Sequence, residues 1–245
     1  MNNRMTFPIR RDIRSLLEGK GSGTLLGILL VFVPFGLVGY VGESLGAGSA
    51  ISYGVITLAY VISLGIATLV MKPWGWNWRG IGLARPASWR RTALQAVGAT
   101  LAIFAVMVAS QMVAQIILGP TAPVSDGSEY NPISGNLPLF LGALAAAWTT
   151  IAFGEEMLFR AFVINALGRP FQQTRVTVAL AVVGSSVAFG LIHLPWGWMG
   201  VLQTTLMGLV LGIIYVRSGR NLWVTIIAHG LANTVGFLQI FLGAV

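Results

Sequence analysis

Long apolar runs dominate this chain and constrain its fold more than any other feature. Each run approaches or exceeds the roughly 20 residues that a helix needs to cross a bilayer core. Backbone groups in lipid must be satisfied internally, so runs of this length without strand alternation predict helices. Only 9% of the residues are charged and 56% are hydrophobic, which excludes a conventional soluble domain and a disordered chain. We therefore expect an all-α, polytopic membrane helical bundle of about seven transmembrane helices, at residues 24–41, 51–71, 92–118, 137–167, 176–194, 199–216 and 222–243.

The basic residues lie on one side of this predicted bundle. All but one of the 15 Lys and Arg residues fall before the first run or at 72–91, 169–175 and 217–220, and the loops on the other side contain none. This asymmetry is that of the positive-inside rule, so we expect a cytoplasmic N-terminus. The net charge of +8 is then a topology signal, and no nucleic-acid partner is expected. The chain has no cysteine, which excludes disulfides and thiolate chemistry.

Three regions follow from this pattern. Residues 1–22 form a basic, cytoplasmic N-terminal segment, residues 23–136 the first three membrane helices, and residues 137–245 a membrane core. The first apolar run is longer than the core of an ordinary signal peptide, which favours a retained anchor. Segment 72–91 contains four tryptophans among its basic residues. Tryptophan and cations both favour the headgroup layer, so this segment is predicted to be interfacial.

Few ionisable residues lie inside the predicted spans, and all of them belong to the core region. Such groups are costly at membrane depth and usually face a protein interior or a watery cavity, so they predict a functional site. Both histidines of the chain are among them. The set, with one amide, consists of Glu155, Glu156 and Arg160 on the fourth span, His193 ending the fifth, and His229 and Asn233 on the seventh.

Helical spacing separates the roles of the two glutamates. Glu156 and Arg160 are four residues apart, in the order that favours an ion pair. Adjacent residues point about 100° apart, so Glu155 and Glu156 are not expected to face the same spot. Glu155 then has no partner on its own helix, and an unpaired carboxylate in a site of low dielectric constant suits a general base.

The fifth and seventh spans supply the remaining polar groups. His229 and Asn233 are four residues apart and project toward one point, and Phe189 precedes His193 by one turn on the same face. With Glu155, these groups could activate a water molecule and stabilise an oxyanion, as amide hydrolysis requires. Glu155, His193 and His229 could equally hold a zinc ion with an open position. The residues alone leave these two roles of Glu155 open.

Other intramembrane hydrolase chemistries lack their residues in this chain. The two serines of the fifth span lie outside any Gly-x-Ser-x-Gly context. No aspartate falls within a predicted span, which removes an aspartyl dyad, and no His-Glu-x-x-His sequence exists. The carboxylate, the two imidazoles and the carboxamide are what remain.

Three motifs occur in a fixed order: Glu-Glu-x-x-x-Arg at 155–160, Phe-x-x-x-His at 189–193 and His-x-x-x-Asn at 229–233. They resemble those of the CPBP family of intramembrane proteases, which comprises type II CAAX prenyl proteases and bacteriocin-processing or immunity (Abi-like) proteins. The resemblance covers roughly residues 137–240. It implies a protease of the metalloprotease class with Glu155 activating water, His193 and His229 as catalytic or metal-binding partners, Asn233 as oxyanion donor, and supporting roles for Glu156 and Arg160.

The sequence-based hypothesis is therefore an intramembrane endopeptidase acting on membrane-associated peptides or proteins, in a multi-pass protein of a bacterial plasma (inner) membrane. A divalent metal, zinc, is an open alternative as a cofactor. The main rival function is a non-catalytic membrane scaffold or immunity protein that binds a partner in the same cavity. A transporter would also explain buried charges, but the chain lacks evident inverted repeats.

Overall fold

The computed structural model describes residues 16–44, 50–126, 128–171 and 173–243. These residues form helices joined by short turns, and no β-strand occurs among them. Seven long helices cover most of the described part of the chain. They are α1 (Ser22–Ser44), α2 (Ala50–Met71), α3 (Trp89–Leu118), α4 (Leu137–Gly168), α5 (Arg175–Leu191), α6 (Gly197–Arg217) and α7 (Leu222–Phe241).

Five helical stretches in the described residues are long and apolar enough to cross a membrane. Two further apolar stretches are shorter, Ser22–Val38 in α1 and Arg175–Leu191 in α5. The all-α, multi-pass architecture is confirmed, whereas seven membrane spans and the side of the N-terminus stay predictions. Residues 1–15 of the predicted N-terminal segment lie outside the described residues. The five stretches are Gly54–Trp74, Trp89–Leu118, Leu137–Gly168, Leu194–Arg217 and Leu222–Phe241.

Helix α4 contains two π-helical stretches, Ala147–Ala152 and Glu156–Val163. A π-helical turn has wider i→i+5 hydrogen bonding and is found frequently at functional sites. The second stretch begins at the second glutamate of the first motif and contains its arginine. The backbone of this helix is therefore irregular where the predicted chemistry lies.

Small residues bring the helices of the core close together. A Cβ added at Gly212 would lie 2.8 Å from Cγ1 of Val182, and one at Gly208 would lie 3.1 Å from Cα of Ser186. Helices α5 and α6 consequently pack backbone to backbone, as small residues permit in membrane helices. On the other side of α6, a buried cluster joins it to α3 and α7 through Ala96, Ala99, Ile103, Met207, Leu211, Val224, Ala228 and Ala232.

Segment 72–91 folds against the helices through its tryptophans. Trp74 Nε1 donates to the carbonyl of Leu17 at 2.8 Å, and its ring stacks on Phe162 with centroids 5.9 Å apart. Trp78 Nε1 donates to Thr68 Oγ1 at 2.8 Å. These contacts fix the connection between α2 and α3 to the end of α4, and the predicted position of the segment in the headgroup layer stays a prediction.

Candidate active site

The first motif is buried inside the helical bundle. Glu155 is 4% exposed, Glu156 0% and Arg160 1%. Arg160 Nη1 lies 2.9 Å from Glu156 Oε1, so the ion pair predicted from the spacing is confirmed. The guanidinium of Arg160 also stands 4.3 Å from the centre of the Phe189 ring, a cation–π contact that offsets part of the cost of its burial.

One oxygen of Glu155 is bonded by a residue from a distant part of the chain. The hydroxyl of Tyr60 on α2 donates to Glu155 Oε1 at 2.6 Å. A Cβ at Gly154 would lie 2.7 Å from the Tyr60 ring, so glycine at this position permits the close approach of α2 and α4. The other oxygen, Oε2, is buried and has no hydrogen-bond partner in the described part of the chain. Glu155 therefore has one fixed oxygen and one available oxygen.

His229 on α7 lies between the two glutamates. Its Nδ1 is 3.0 Å from Glu156 Oε1, and its Nε2 is 3.6 Å from Glu155 Oε2. A carboxylate only accepts hydrogen bonds, so Nδ1–H donates to Glu156 and Nε2 faces Glu155. The prediction that the two glutamates cannot face the same spot is wrong here, because the imidazole ring presents one nitrogen to each of them.

His193 follows helix α5 instead of ending it. Helix α5 ends at Leu191, and a 3₁₀ turn, Leu194–Trp196, begins directly after His193. The cause is Pro195, because proline has no N–H to donate to the carbonyl of Leu191 four residues earlier, and its ring clashes with that carbonyl in a continuing helix. Nδ1–H of His193 donates to the carbonyl oxygen of Phe189 at 2.8 Å, so in the neutral ring Nε2 is the nitrogen left without a proton.

The Phe189 ring brings the two histidines together. Its centroid lies 4.9 Å from that of His193 and 6.1 Å from that of His229, both in edge-to-face arrangements. The predicted position of Phe189, one turn before His193 and on the same face, agrees with this contact. The side chain is 1% exposed, so it fixes the imidazoles from the protein interior.

Asn233 lies one turn after His229 on α7. It lines the same cavity as His229, and its carboxamide makes no hydrogen bond to another described residue. Helices α7 and α4 pack closely beside Asn233, because a Cβ at Gly230 would lie 2.6 Å from the ring of Trp148. Trp148 Nε1 also donates to Thr234 Oγ1 at 3.0 Å. The carboxamide of Asn233 is thus available to a group bound in the cavity.

A single cavity of about 270 Å³ has Glu155, His193, His229 and Asn233 in its wall. Its volume lies just below the roughly 300–1,000 Å³ that is typical of pockets for drug-sized ligands. Glu156 and Arg160 do not line it, which separates this supporting pair from the four predicted catalytic residues. Most of the remaining wall is apolar or aromatic, including Phe104, Met107, Tyr130, Trp196, Met207 and Phe237.

The predicted zinc set is not tested by this structure, which carries no metal. Among the described residues, no group of three or more His, Cys, Asp or Glu side chains is arranged to hold a metal ion. The Tyr60 hydroxyl bonds Oε1 of Glu155 and Glu156 bonds Nδ1 of His229, which leaves Glu155 Oε2 and His229 Nε2 as the atoms of these two residues that could bind a metal. Zinc bound by Glu155, His193 and His229 stays a prediction, and no step proposed below uses a metal.

Tyr60 is the site residue that sequence reasoning missed. It lies 95 positions before Glu155 in an apolar helix, and no charge or motif marks it. A polar hydroxyl within an otherwise apolar face was the only available signal, and tyrosine is too common in membrane helices for that signal to select one residue.

The comparisons with known proteins agree with the motifs. No curated protein and no solved structure matches the chain. The family model described as "Type II CAAX prenyl endopeptidase Rce1-like" matches residues 136–235, which include all three motifs. The resemblance seen in the motifs is confirmed over this segment, which is less than half of the chain. Residues 136–235, which contain Glu155, His193, His229 and Asn233, are thus similar to the type II CAAX prenyl endopeptidase Rce1-like family.

Proposed function

We propose that this protein is an intramembrane endopeptidase that hydrolyses a peptide bond of a membrane-associated peptide or protein, with Glu155 as the general base. One observation carries the proposal: Glu155 lines a cavity, and its Oε2 has no hydrogen-bond partner among the described residues. Two imidazoles and a free carboxamide line the same cavity. The family of residues 136–235, whose members are proteases, supports the same reading.

In the first step, Oε2 of Glu155 takes a proton from a water molecule in the cavity, and the water oxygen attacks the scissile carbonyl carbon. A positioned carboxylate contributes about 10²- to 10⁴-fold to such a step. The hydrogen bond from Tyr60 fixes Oε1, so the carboxylate keeps one orientation toward the cavity. Tyr60 is a positioning residue in this scheme, because it does not line the cavity.

His229 lies beside Glu155 and helps to orient the reacting water. Its Nδ1–H is bonded to Glu156, whose charge is balanced by Arg160. This leaves Nε2, 3.6 Å from Glu155 Oε2, to accept a hydrogen bond from a water in the cavity that also contacts Glu155. Glu156 and Arg160 thus act on the reaction through His229 and not by contact with substrate.

The oxyanion formed by the attack needs a hydrogen-bond donor to stabilise it. The carboxamide of Asn233 supplies one, since it lines the cavity and is not engaged elsewhere in the described residues. His193 completes the wall beside the Phe189 ring and hydrogen-bonds the bound peptide through Nε2. Collapse of the tetrahedral intermediate breaks the C–N bond, and the leaving nitrogen takes the proton held by Glu155.

The test is the Glu155→Gln substitution, which keeps the size of the side chain and removes the base. We expect cleavage to fall by at least about 100-fold, with insertion and thermal unfolding close to those of the wild type. Comparison of membrane peptides from cells with each protein should show uncleaved substrates accumulating with the variant. Glu18→Gln is the matched control, because Glu18 is an exposed glutamate that does not line the cavity.

Two results would count against the proposal. Full cleavage by Glu155→Gln would remove Glu155 from the mechanism. Partners that bind both proteins and keep the same length would favour the non-catalytic scaffold.

A further inference from the structure

A second cavity, of about 770 Å³, lies between two connecting segments and shares no wall residue with the first. One side is formed by the connection between α2 and α3, and the other by the turn between α6 and α7. Neither the mechanism nor the family motifs use it. Its wall contains five arginines, Arg79, Arg85, Arg91, Arg217 and Arg220, with Ser88, Thr92, Gln95 and Asn221.

The charge of this cavity is not compensated by the protein. No acidic residue lines it. In the described part of the chain, the side chains of Arg79, Arg85, Arg91 and Arg217 make no ion pair or hydrogen bond. The fifth, Arg220, donates only to the neutral Gln173 at 2.6 Å. Like charges around a concave surface repel each other and focus a positive potential into it, so an anion there would lower the energy of the folded state.

The two walls are fixed to each other by one buried and one partly buried hydrogen bond. The Tyr215 hydroxyl donates to the carbonyl of Ile81 at 2.6 Å, and Asn221 Nδ2 donates to Thr92 Oγ1 at 2.9 Å. Gly82 has a φ of +122°, and a Cβ there would collide with the carbonyl oxygen of Arg220. The cavity is therefore formed without a ligand, and the arginines need not be gathered by one.

We propose that this cavity binds a phosphate group. Guanidinium groups bond phosphate oxygens in pairs, and several converging arginines are the usual protein partner of a phosphate carrying one or two negative charges. The phosphate belongs to the headgroup of an anionic phospholipid or to a soluble phosphate compound. The cavity lies at the start of α3 and the end of α6, among the basic residues that predict the cytoplasmic side. Anionic lipids are expected on that side of the membrane.

The soluble source is tested with inorganic pyrophosphate, titrated by calorimetry into the full-length protein in a neutral detergent. The lipid source is tested with phosphatidylglycerol against phosphatidylcholine, counting lipids retained by the same protein in native mass spectrometry. Saturable binding of either probe at one site supports the proposal, and the probe that binds identifies the source. Absence of binding by both probes overturns it.

A neighbouring pair of arginines provides the matched control. Arg91 lines the cavity and Arg90 does not, although both are exposed in the first turn of α3. We expect Arg91→Gln to weaken binding of the active probe by about tenfold or more, from loss of a charge-assisted hydrogen bond. Arg90→Gln should leave the affinity for the same probe within about twofold of the wild-type value. If both substitutions weaken probe binding equally, the attraction is that of a diffuse basic surface and the proposed site is overturned. Thermal unfolding of both variants is measured beside binding to show that each is folded.

Discussion

Removal of the Tyr60 hydroxyl tests whether Glu155 depends on a residue outside the family-matched segment. The substitution is Tyr60→Phe, which keeps the aromatic ring against Phe35, whose centroid is 4.9 Å away. It deletes a 2.6 Å hydrogen bond to Glu155 Oε1 and adds no bulk. Both carboxylate oxygens are then unbonded by described residues, so the carboxylate can rotate away from the water that it activates.

The expected magnitude comes from the type of hydrogen bond that is lost. A hydrogen bond to a charged group contributes about 1.5–3 kcal/mol, which corresponds to roughly a 10- to 150-fold change in rate. Because Tyr60 does not line the cavity, the loss should appear in kcat, with KM changed by less than about threefold.

The assay measures kcat and KM on a peptide that spans a cleavage site found in the comparison of membrane peptides. Tyr40→Phe is the control, since Tyr40 is 73% exposed on α1 and loses the same hydroxyl without a bond to the site. A kcat of Tyr60→Phe within about twofold of the wild type would refute the reasoning. Two other results would also refute it: a loss of activity accompanied by a lower thermal unfolding temperature, or a loss that appears only in KM. Either result would give Tyr60 a structural role only.

Three further predictions concern the cavity and its support. Asn233→Ala should lower kcat by about 10²- to 10³-fold, as loss of an oxyanion donor does, while Asn233→Gln should restore little because its amide is displaced; the readout is kcat. Glu156→Gln should destabilise the protein by about 3–5 kcal/mol, because Arg160 is left as a buried charge, and thermal unfolding measures this. Gly230→Ala should cost about 1–3 kcal/mol by pushing Trp148 away from α7, and recovery of stability in Gly230→Ala with Trp148→Leu would identify the clash.

Much of the site could be predicted from the sequence because local spacing encodes it. The Glu156–Arg160 pair needs only the geometry of one helix, and ionisable residues are so rare in the spans that their convergence could be inferred without a fold. The Phe189–His193 contact is also local, since it spans one turn. In these two pairs the partners are four residues apart.

The features that could not be predicted depend on packing between distant helices. The contact of Tyr60 with Glu155 requires α2 to cross α4 at Gly154, and apolar helices carry no pairing code that would specify this crossing. The π-helical turn of Glu156–Val163 changes the directions of side chains that an ideal helix would set. This turn and the width of the imidazole ring explain why both glutamates reach His229.

The two glutamates are bonded to different groups, and this difference supports different proposed roles for them. Glu156 is balanced by Arg160 and bonded by His229 Nδ1, so its negative charge is fixed. Glu155 accepts a hydrogen bond from Tyr60 on one oxygen, and its other oxygen has no hydrogen-bond partner in the described residues. Of the two glutamates, only Glu155 lines the cavity. The proposed base is therefore the carboxylate that can meet a water molecule there, and Glu156 acts on the proposed reaction through His229.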